Sequence, residues 1–243
     1  MKAILTGHTR GLGQAIAAEL LARGIPVLAI ARRQCDELAG RFSGLLQQAT
    51  VDLAAPEALQ SWLAGETLNR YVADAPSLLL INNAGMLGPV APLGRQMDDQ
   101  LLQAVNLNIS ASLLLSNAVA RAYRGPLRIA HISSGAARTA FAGWSVYGAT
   151  KAALDHHARS AAADADSRLR ICSIAPGVVD TEMQAAIRRT EAPDFPLLDR
   201  FLALKQEGKL ASPEDAAGQM LRFLLSDDFG KAAVVDLRDL PSN

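Results

Sequence analysis

The sequence predicts an α/β fold, a doubly wound sheet of seven mainly parallel strands with helices on both faces. Three observations predict it. Short apolar runs of strand length alternate with segments of helical periodicity along the chain. A glycine-rich turn, Thr6-Gly7-His8-Thr9-Arg10-Gly11-Leu12-Gly13, joins the first run to the first helical segment. The distinctive polar residues fall at the C-terminal ends of the runs, where open parallel sheets bind ligands. A chain of 243 residues and 25.7 kDa, half of it hydrophobic, fits one large domain over 1–243.

The elements follow in order. Residues 2–6 are a buried strand, and Leu12, Ile16, Leu20 and Leu21 recur at helical spacing after the glycine turn. Gly24 stops that helix, and residues 25–30 form the second strand. Asp36 and Glu37 suit the first turn of a helix. The third strand spans 49–52, and Pro56-Glu57 opens the next helix. Residues 77–81 form a buried fourth strand ending in Asn82-Asn83-Ala84-Gly85, with a long helix over about 97–123 behind it. The fifth strand spans 127–132, a helix runs from 146 to about 165, and the sixth strand spans 169–174. Residues 232–236 supply the seventh. Residues 182–210 form a lid carrying Met183, Ile187, Phe195, Leu197, Leu198, Phe201 and Leu202. This apolar set either covers a substrate or packs on the protein as an amphipathic cap.

Composition excludes several functions. The formal net charge is zero and the pI is near 6.9, so no nucleic-acid or anionic-membrane partner is expected. No apolar run is long enough to span a membrane. The first strand begins at once, so no signal peptide is expected. Cys35 and Cys172 suit packing in a reducing compartment, which points to the cytoplasm. His8, His131, His156 and His157 lack metal-ligand spacing, so no metal is expected.

The chemistry concentrates in Tyr147-Gly-Ala-Thr-Lys151. On a helix, four residues put the phenol and the ammonium on one face, one turn apart. A neighbouring cation favours the phenolate, making Tyr147 a candidate general acid/base. The glycine turn, between strand and helix, suits a dinucleotide pyrophosphate, because helix N–H groups point at the anion. Its spacing, Gly-x-x-x-Gly-x-Gly, is not that of a P-loop. After the second strand the chain reads Ile30-Ala31-Arg32-Arg33. NAD sites usually offer an acid there; here Arg10, Arg32 and Arg33 supply guanidiniums for a 2′-phosphate, which favours NADP(H).

Five segments in order and spacing carry a resemblance: Thr6-Gly7…Gly11-Leu12-Gly13, Asn82-Asn83-Ala84-Gly85, Ser133-Ser134, Tyr147…Lys151 and Pro176-Gly177. From residue 1 to about 181 the chain resembles the short-chain dehydrogenase/reductase family. The resemblance implies a single Rossmann-type domain transferring hydride between NADP(H) and a small-molecule carbonyl/alcohol pair. It implies catalytic roles for Tyr147, Lys151, Ser134 (thirteen residues before the tyrosine) and Asn108, counted back from residues 113–116. Ser133 and Asn106 are the alternatives to the last two. It implies cofactor contacts from Gly7, Thr9, Arg10, Gly11, Leu12, Gly13, Arg32, Arg33, Asp52, Leu53, Asn83, Ala84, Gly85, Tyr147, Lys151, Pro176, Gly177, Val179 and Thr181. Asp52 either sits near the adenine or caps the next helix. Phe141 and Trp144 are placed to line the substrate pocket.

The C-terminal Lys231-Ala-Ala-Val-Val-Asp236 lacks the Asp-Gly-Gly ending of many relatives and is similar to the sepiapterin reductase and benzil reductase branch. There Asp236 falls where an acid anchors a pterin, or it simply ends a strand. Relatives pair the helix after the tyrosine and the middle helix, with its Ala111, Leu114, Leu115, Ala118 and Ala122, across a two-fold axis. That implies a homodimer or homotetramer, with Ala158 or Ala162 at the interface. The competing function is a non-catalytic NADP(H)-binding sensor or scaffold. Ser134, Tyr147 and Lys151, all present, favour the enzyme.

Overall fold

The computed structural model describes residues 1–164, 166–191 and 193–240. Seven strands, β1 (Lys2–Thr6), β2 (Val27–Ala31), β3 (Leu46–Thr50), β4 (Leu78–Asn82), β5 (Leu127–Ile132), β6 (Leu169–Ala175) and β7 (Val234–Asp236), form one sheet. All pairings are parallel, in the order β3-β2-β1-β4-β5-β6-β7. Helices cover both faces, which is why β2 and β4 read as unbroken apolar runs rather than alternating ones. One face carries α1 (Gly11–Ala22) and α10 (Pro213–Leu225), packed through Ile16, Leu20, Met220 and Leu221 onto Leu5, Leu79 and Ile81. The opposite face buries Ile4, Leu28, Leu80 and Ile129 against Leu59 of α3 (Pro56–Ala64) and Leu68 of α4 (Thr67–Val72). There, Leu115 of α6 (Ala111–Ala122) and Ala158 of α7 (Ser145–Ala163) complete the layer.

The chain winds one way from β1 to β3 and the other from β4 to β7. The reversal between β1 and β4 leaves a crevice outside their carboxyl ends.

Several expectations shift. Ile25 lies in the turn that closes α1, its N–H bonding Leu20 O, so β2 starts at Val27. β3 lies earlier than expected because this edge strand is built from Leu46-Gln-Gln, which carries little apolar signal. α2 (Asp36–Arg41) has Asp36 and Glu37 in its first turn, as expected. The long helix divides into α5 (Asp98–Val105), a π turn (Asn106–Ser110) and α6. The helix expected to about 165 ends at Ala163; residue 165 lies outside the described residues. Ala158 is fully buried in its own subunit, together with Ala111, Leu115 and Ala118, so its expected place at an interface is corrected; Ala162 is exposed.

Residues 182–210 hold α8 (Glu182–Ile187) and α9 (Leu198–Gln206). Phe195 between them is fully buried and stacks on Trp144 at 4.8 Å, so it packs on the protein as the cap reading requires.

Candidate active site

The glycine turn closes tightly onto α1. Gly7 and Gly11 have φ of 74° and 54°, which side-chain-bearing residues rarely adopt. A Cβ on Gly13 would lie 2.0 Å from Gly7 O and 2.4 Å from Asn83 Nδ2. Thr6 Oγ1 accepts the N–H groups of Asn83 and Ala84, both at 2.9 Å, and the Asn83 amide donates to Thr6 O and Gly7 O at 2.9 and 3.2 Å. These bonds clamp the end of β4 to the end of β1. The first turn of α1 has no capping side chain and no acid, so its N–H groups stay free for an anion. This cradle fits a dinucleotide pyrophosphate.

The cradle opens into a cleft of about 890 Å³ along the carboxyl edge of the sheet. Gly7, Thr9, Arg10, Gly11, Leu12, Gly13, Arg32, Arg33, Asp52, Leu53, Asn83, Ala84 and Gly85 line it, as do Ser134, Tyr147, Lys151, Pro176, Gly177, Val179 and Thr181. Arg32 and Arg33 are exposed on its rim beside Ala31, and Arg10 pairs with Glu182 of α8. Asp52 does not cap α3, whose N-cap is Ala55; its Oδ1 accepts Ala54 N–H at 3.0 Å.

Tyr147 and Lys151 lie on the face of α7 that meets the end of β5. The Ser134 side chain stands beside the phenol, and its Oγ accepts the Ala136 N–H at 3.2 Å. Burial raises the Tyr147 pKa, and the neighbouring Ser134 side chain lowers it only in part. The expectation that Lys151 would favour the phenolate is therefore corrected for the free protein: burial wins because the low-polarity floor penalises the anion. Lys151 Nζ donates to Ile132 O at 2.8 Å and sits 5.7 Å from the Tyr147 ring centroid. Burial pushes its pKa down to about 8, opposed by Asp155.

Asn108, rather than Asn106, faces this group from the π turn, but it lies behind the cleft instead of lining it. Its side chain accepts from Met86 N–H at 2.9 Å and donates to Met86 O and Thr150 Oγ1 at 2.8 and 3.0 Å. Gly85 lies close against this group, where a Cβ would lie 3.3 Å from both Asn108 Oδ1 and Lys151 Nζ. Ser133 is committed elsewhere, its hydroxyl donating to Asp155 at 2.7 Å, which leaves Ser134 as the serine facing the phenol.

Phe141, Trp144 and Phe201 line the far wall of the cleft with Ile187 and Met183. Asp236 stands outside the cleft, its carboxylate held by Arg238 at 2.8 and 2.7 Å, so the position expected for an anchoring acid is neutralised within the protein. Arg238 itself lines the cleft beside Gly177 and had no signal in the sequence. Among the described residues no His/Cys/Asp/Glu group could hold a metal, and no helix is long and apolar enough to cross a membrane.

Comparisons with known proteins show the family. The profile of the short chain dehydrogenase family matches residues 1–192. The benzil reductase ((S)-benzoin forming) of Bacillus cereus is 34% identical over 241 residues, 96% of this chain and 97% of the relative. The sepiapterin reductase of Rattus norvegicus is 34% identical over 255 residues, covering 98% of this chain and 96% of its own. The crystal structure of a short-chain dehydrogenase/reductase from Burkholderia vietnamiensis superposes with a TM-score of 0.72 at 43% identity, covering 99% of this chain and 98% of that one. The chain belongs to the short-chain dehydrogenase family.

Proposed function

We propose that this member of the short-chain dehydrogenase family is an NADPH-dependent carbonyl reductase acting on an aromatic ketone, vicinal diketone or aldehyde. The observation that carries the reading is the Tyr147 phenol, beside Ser134 and one helical turn from Lys151, in a cleft that begins in the glycine cradle. Gly7, Gly11, Gly13 and the first turn of α1 would hold the pyrophosphate. Asn83, Ala84, Gly85, Pro176, Gly177, Val179 and Thr181 would line the nicotinamide half. Arg10, Arg32 and Arg33 would take the 2′-phosphate, and Asp52 and Leu53 would flank the adenine. When bound, NADPH supplies the hydride.

The protein's part is proton transfer and positioning. A phenol whose pKa is raised by burial carries its proton at neutral pH, so Tyr147 is set up as an acid. Its Oη–H is transferred to the carbonyl oxygen of the substrate, and Ser134 Oγ–H donates to that same oxygen. The Lys151 ammonium, cationic below about pH 8, offsets the phenolate charge left behind. Asn108 holds the Met86 backbone and Thr150 beneath the pair. The aromatic wall of Phe141, Trp144 and Phe201, and the names of the relatives from Bacillus cereus and Rattus norvegicus, support an aromatic substrate. α8 and α9 would form the lid.

The test is the absorbance loss of NADPH, with NADH in parallel, against benzil, aromatic aldehydes and sepiapterin. Alcohol formation with NADPH preferred supports the reading. Tight NADPH binding without consumption of any carbonyl overturns it and leaves a cofactor-binding sensor.

A further inference from the structure

α7 meets β5 through three rungs, one helical turn apart. Tyr147 faces Ser134, and Lys151 Nζ donates to Ile132 O at 2.8 Å. Asp155 Oδ1 accepts the Ser133 hydroxyl at 2.7 Å. Three consecutive residues, Ile132 at the end of β5 and Ser133 and Ser134 just after it, thus face three residues of α7 spaced by four. Two rungs belong to the acid–base site; the third has no part in the chemistry described above.

The third rung is built for a charge. Asp155 is only 2% exposed, and its Oδ1 also accepts the Ser173 hydroxyl of β6 at 2.7 Å. Its Oδ2 is buried with no hydrogen-bond partner. The nearest guanidinium to Oδ2, on Arg138, stands 3.9 Å away and is shared with Asp236 at the same distance. An isolated buried carboxylate is costly unless a cation compensates it. Arg138 is itself exposed, whereas Lys151, one turn back on the same helix, is a buried cation. The remaining titratable groups around this pair are Tyr147 on α7, His131 on β5 and Cys172 on β6. Burial keeps the phenol and the thiol protonated and the imidazole neutral near pH 7, so Asp155 is the anion available to Lys151.

We propose that Asp155 is a positioning residue: the buried counter-charge of Lys151 and, through Ser133 and Ser173, the rung that sets the register of Tyr147 against Ser134. It rests on the acid–base reading of the site given above, and its test separates the two. The carboxylate keeps the ammonium protonated further into alkaline pH than burial alone would allow.

The primary readout needs no substrate. The five lysines, Lys2, Lys151, Lys205, Lys209 and Lys231, are resolvable by NMR of protein labelled with carbon-13 at lysine Cε, with Lys151 assigned by Lys151→Arg. In Asp155→Asn, which keeps an acceptor for both serines, the Lys151 midpoint should fall by about one pH unit, as expected when an opposite charge one helical turn away is removed from a buried site. In Ser133→Ala the carboxylate loses a donor that disperses its charge, and the midpoint should rise. An unmoved midpoint in both variants overturns the proposal, and Ser133→Ala alone decides it if Asp155→Asn does not fold. In turnover, Asp155→Asn should lower kcat roughly tenfold with KM little changed, and its alkaline limb should move down with the Lys151 midpoint. A shifted midpoint with unchanged kcat and limb also overturns the positioning role. A wild-type protein that reduces no carbonyl overturns the function proposed above, and the NMR midpoints still decide for Asp155.

Discussion

Replacing Gly13 with alanine sets two effects of opposite sign against each other. Gly13 lies in the first turn of α1 with ordinary helical backbone, so alanine there gains up to about 1 kcal/mol of helix propensity. The added Cβ would sit 2.0 Å from Gly7 O and 2.4 Å from Asn83 Nδ2, against a normal contact of at least 3.4 Å. One of these atoms is backbone, so the glycine turn or α1 must move by more than an ångström. Such overpacking costs about 1–3 kcal/mol. The Asn83 bonds to Thr6 O and Gly7 O are the first to yield, at about 0.5–1.5 kcal/mol each. The net is destabilisation of about 1–5 kcal/mol, a fall in melting temperature of roughly 2–20 °C for a chain of this size. NADPH affinity should fall by at least about tenfold, because the displaced N–H groups are those aimed at the pyrophosphate. Gly40→Ala in α2 is the control: its Cβ would meet nothing within 4 Å, so only the propensity gain remains. Urea unfolding and a fluorescence titration with NADPH measure both effects. A Gly13→Ala protein as stable as Gly40→Ala, with unaltered NADPH affinity, would refute the reading of the cradle.

Three further outcomes are expected. Ala31→Asp with Arg32→Leu should weaken NADPH roughly 10²-fold relative to NADH, from about 1.5–3 kcal/mol for the lost charge-assisted bond plus repulsion by the new carboxylate; equal wild-type affinity for the two cofactors would defeat the charge argument. Burial holds the His131 imidazole down to about 3 from 6.5, so between those values the unfolded chain takes up a proton that the folded chain refuses. His131 should therefore contribute up to about 1.4 kcal/mol of lost stability per unit as pH drops below 6.5, beside smaller contributions of the same sign from His8 and His157, so His131→Asn should make the slope in urea unfolding between pH 6.5 and 5 shallower; an identical slope in the variant contradicts this. Light scattering should give at least a dimer mass, with exposed Ala162→Arg lowering it if α7 forms the interface, and a monomer mass in the wild type ends the expectation.

The chemistry was legible where it depends on short-range geometry. Tyr147 and Lys151 are one helical turn apart in any helix, and the glycine turn between an apolar run and a helical pattern announces its own N–H groups. What depends on the tertiary environment was not legible. Whether the phenol is acidic or basic turns on burial against neighbouring charge, and the buried floor reversed the expectation from the lysine alone. Ala158 belongs to the core and not to an interface because a small residue suits either contact equally. Phe195 shows the same ambiguity, resolved when it stacked on Trp144. β3 was placed late because its Gln47 and Gln48 face a sheet edge and carry no apolar run. Asp155 did have a signal, an acid four residues beyond the lysine on the same helix face, but its meaning needed Ser133 and Ser173 brought together from two strands.

The central claim is that Tyr147 delivers the proton to a carbonyl oxygen, and Tyr147→Phe tests it most directly, because the ring stays and only the hydroxyl goes. With NADPH and benzil, turnover should fall by roughly 10²-fold or more, while NADPH affinity stays within about twofold, as for loss of a general acid. Turnover near the wild-type value in the phenylalanine variant would contradict the account.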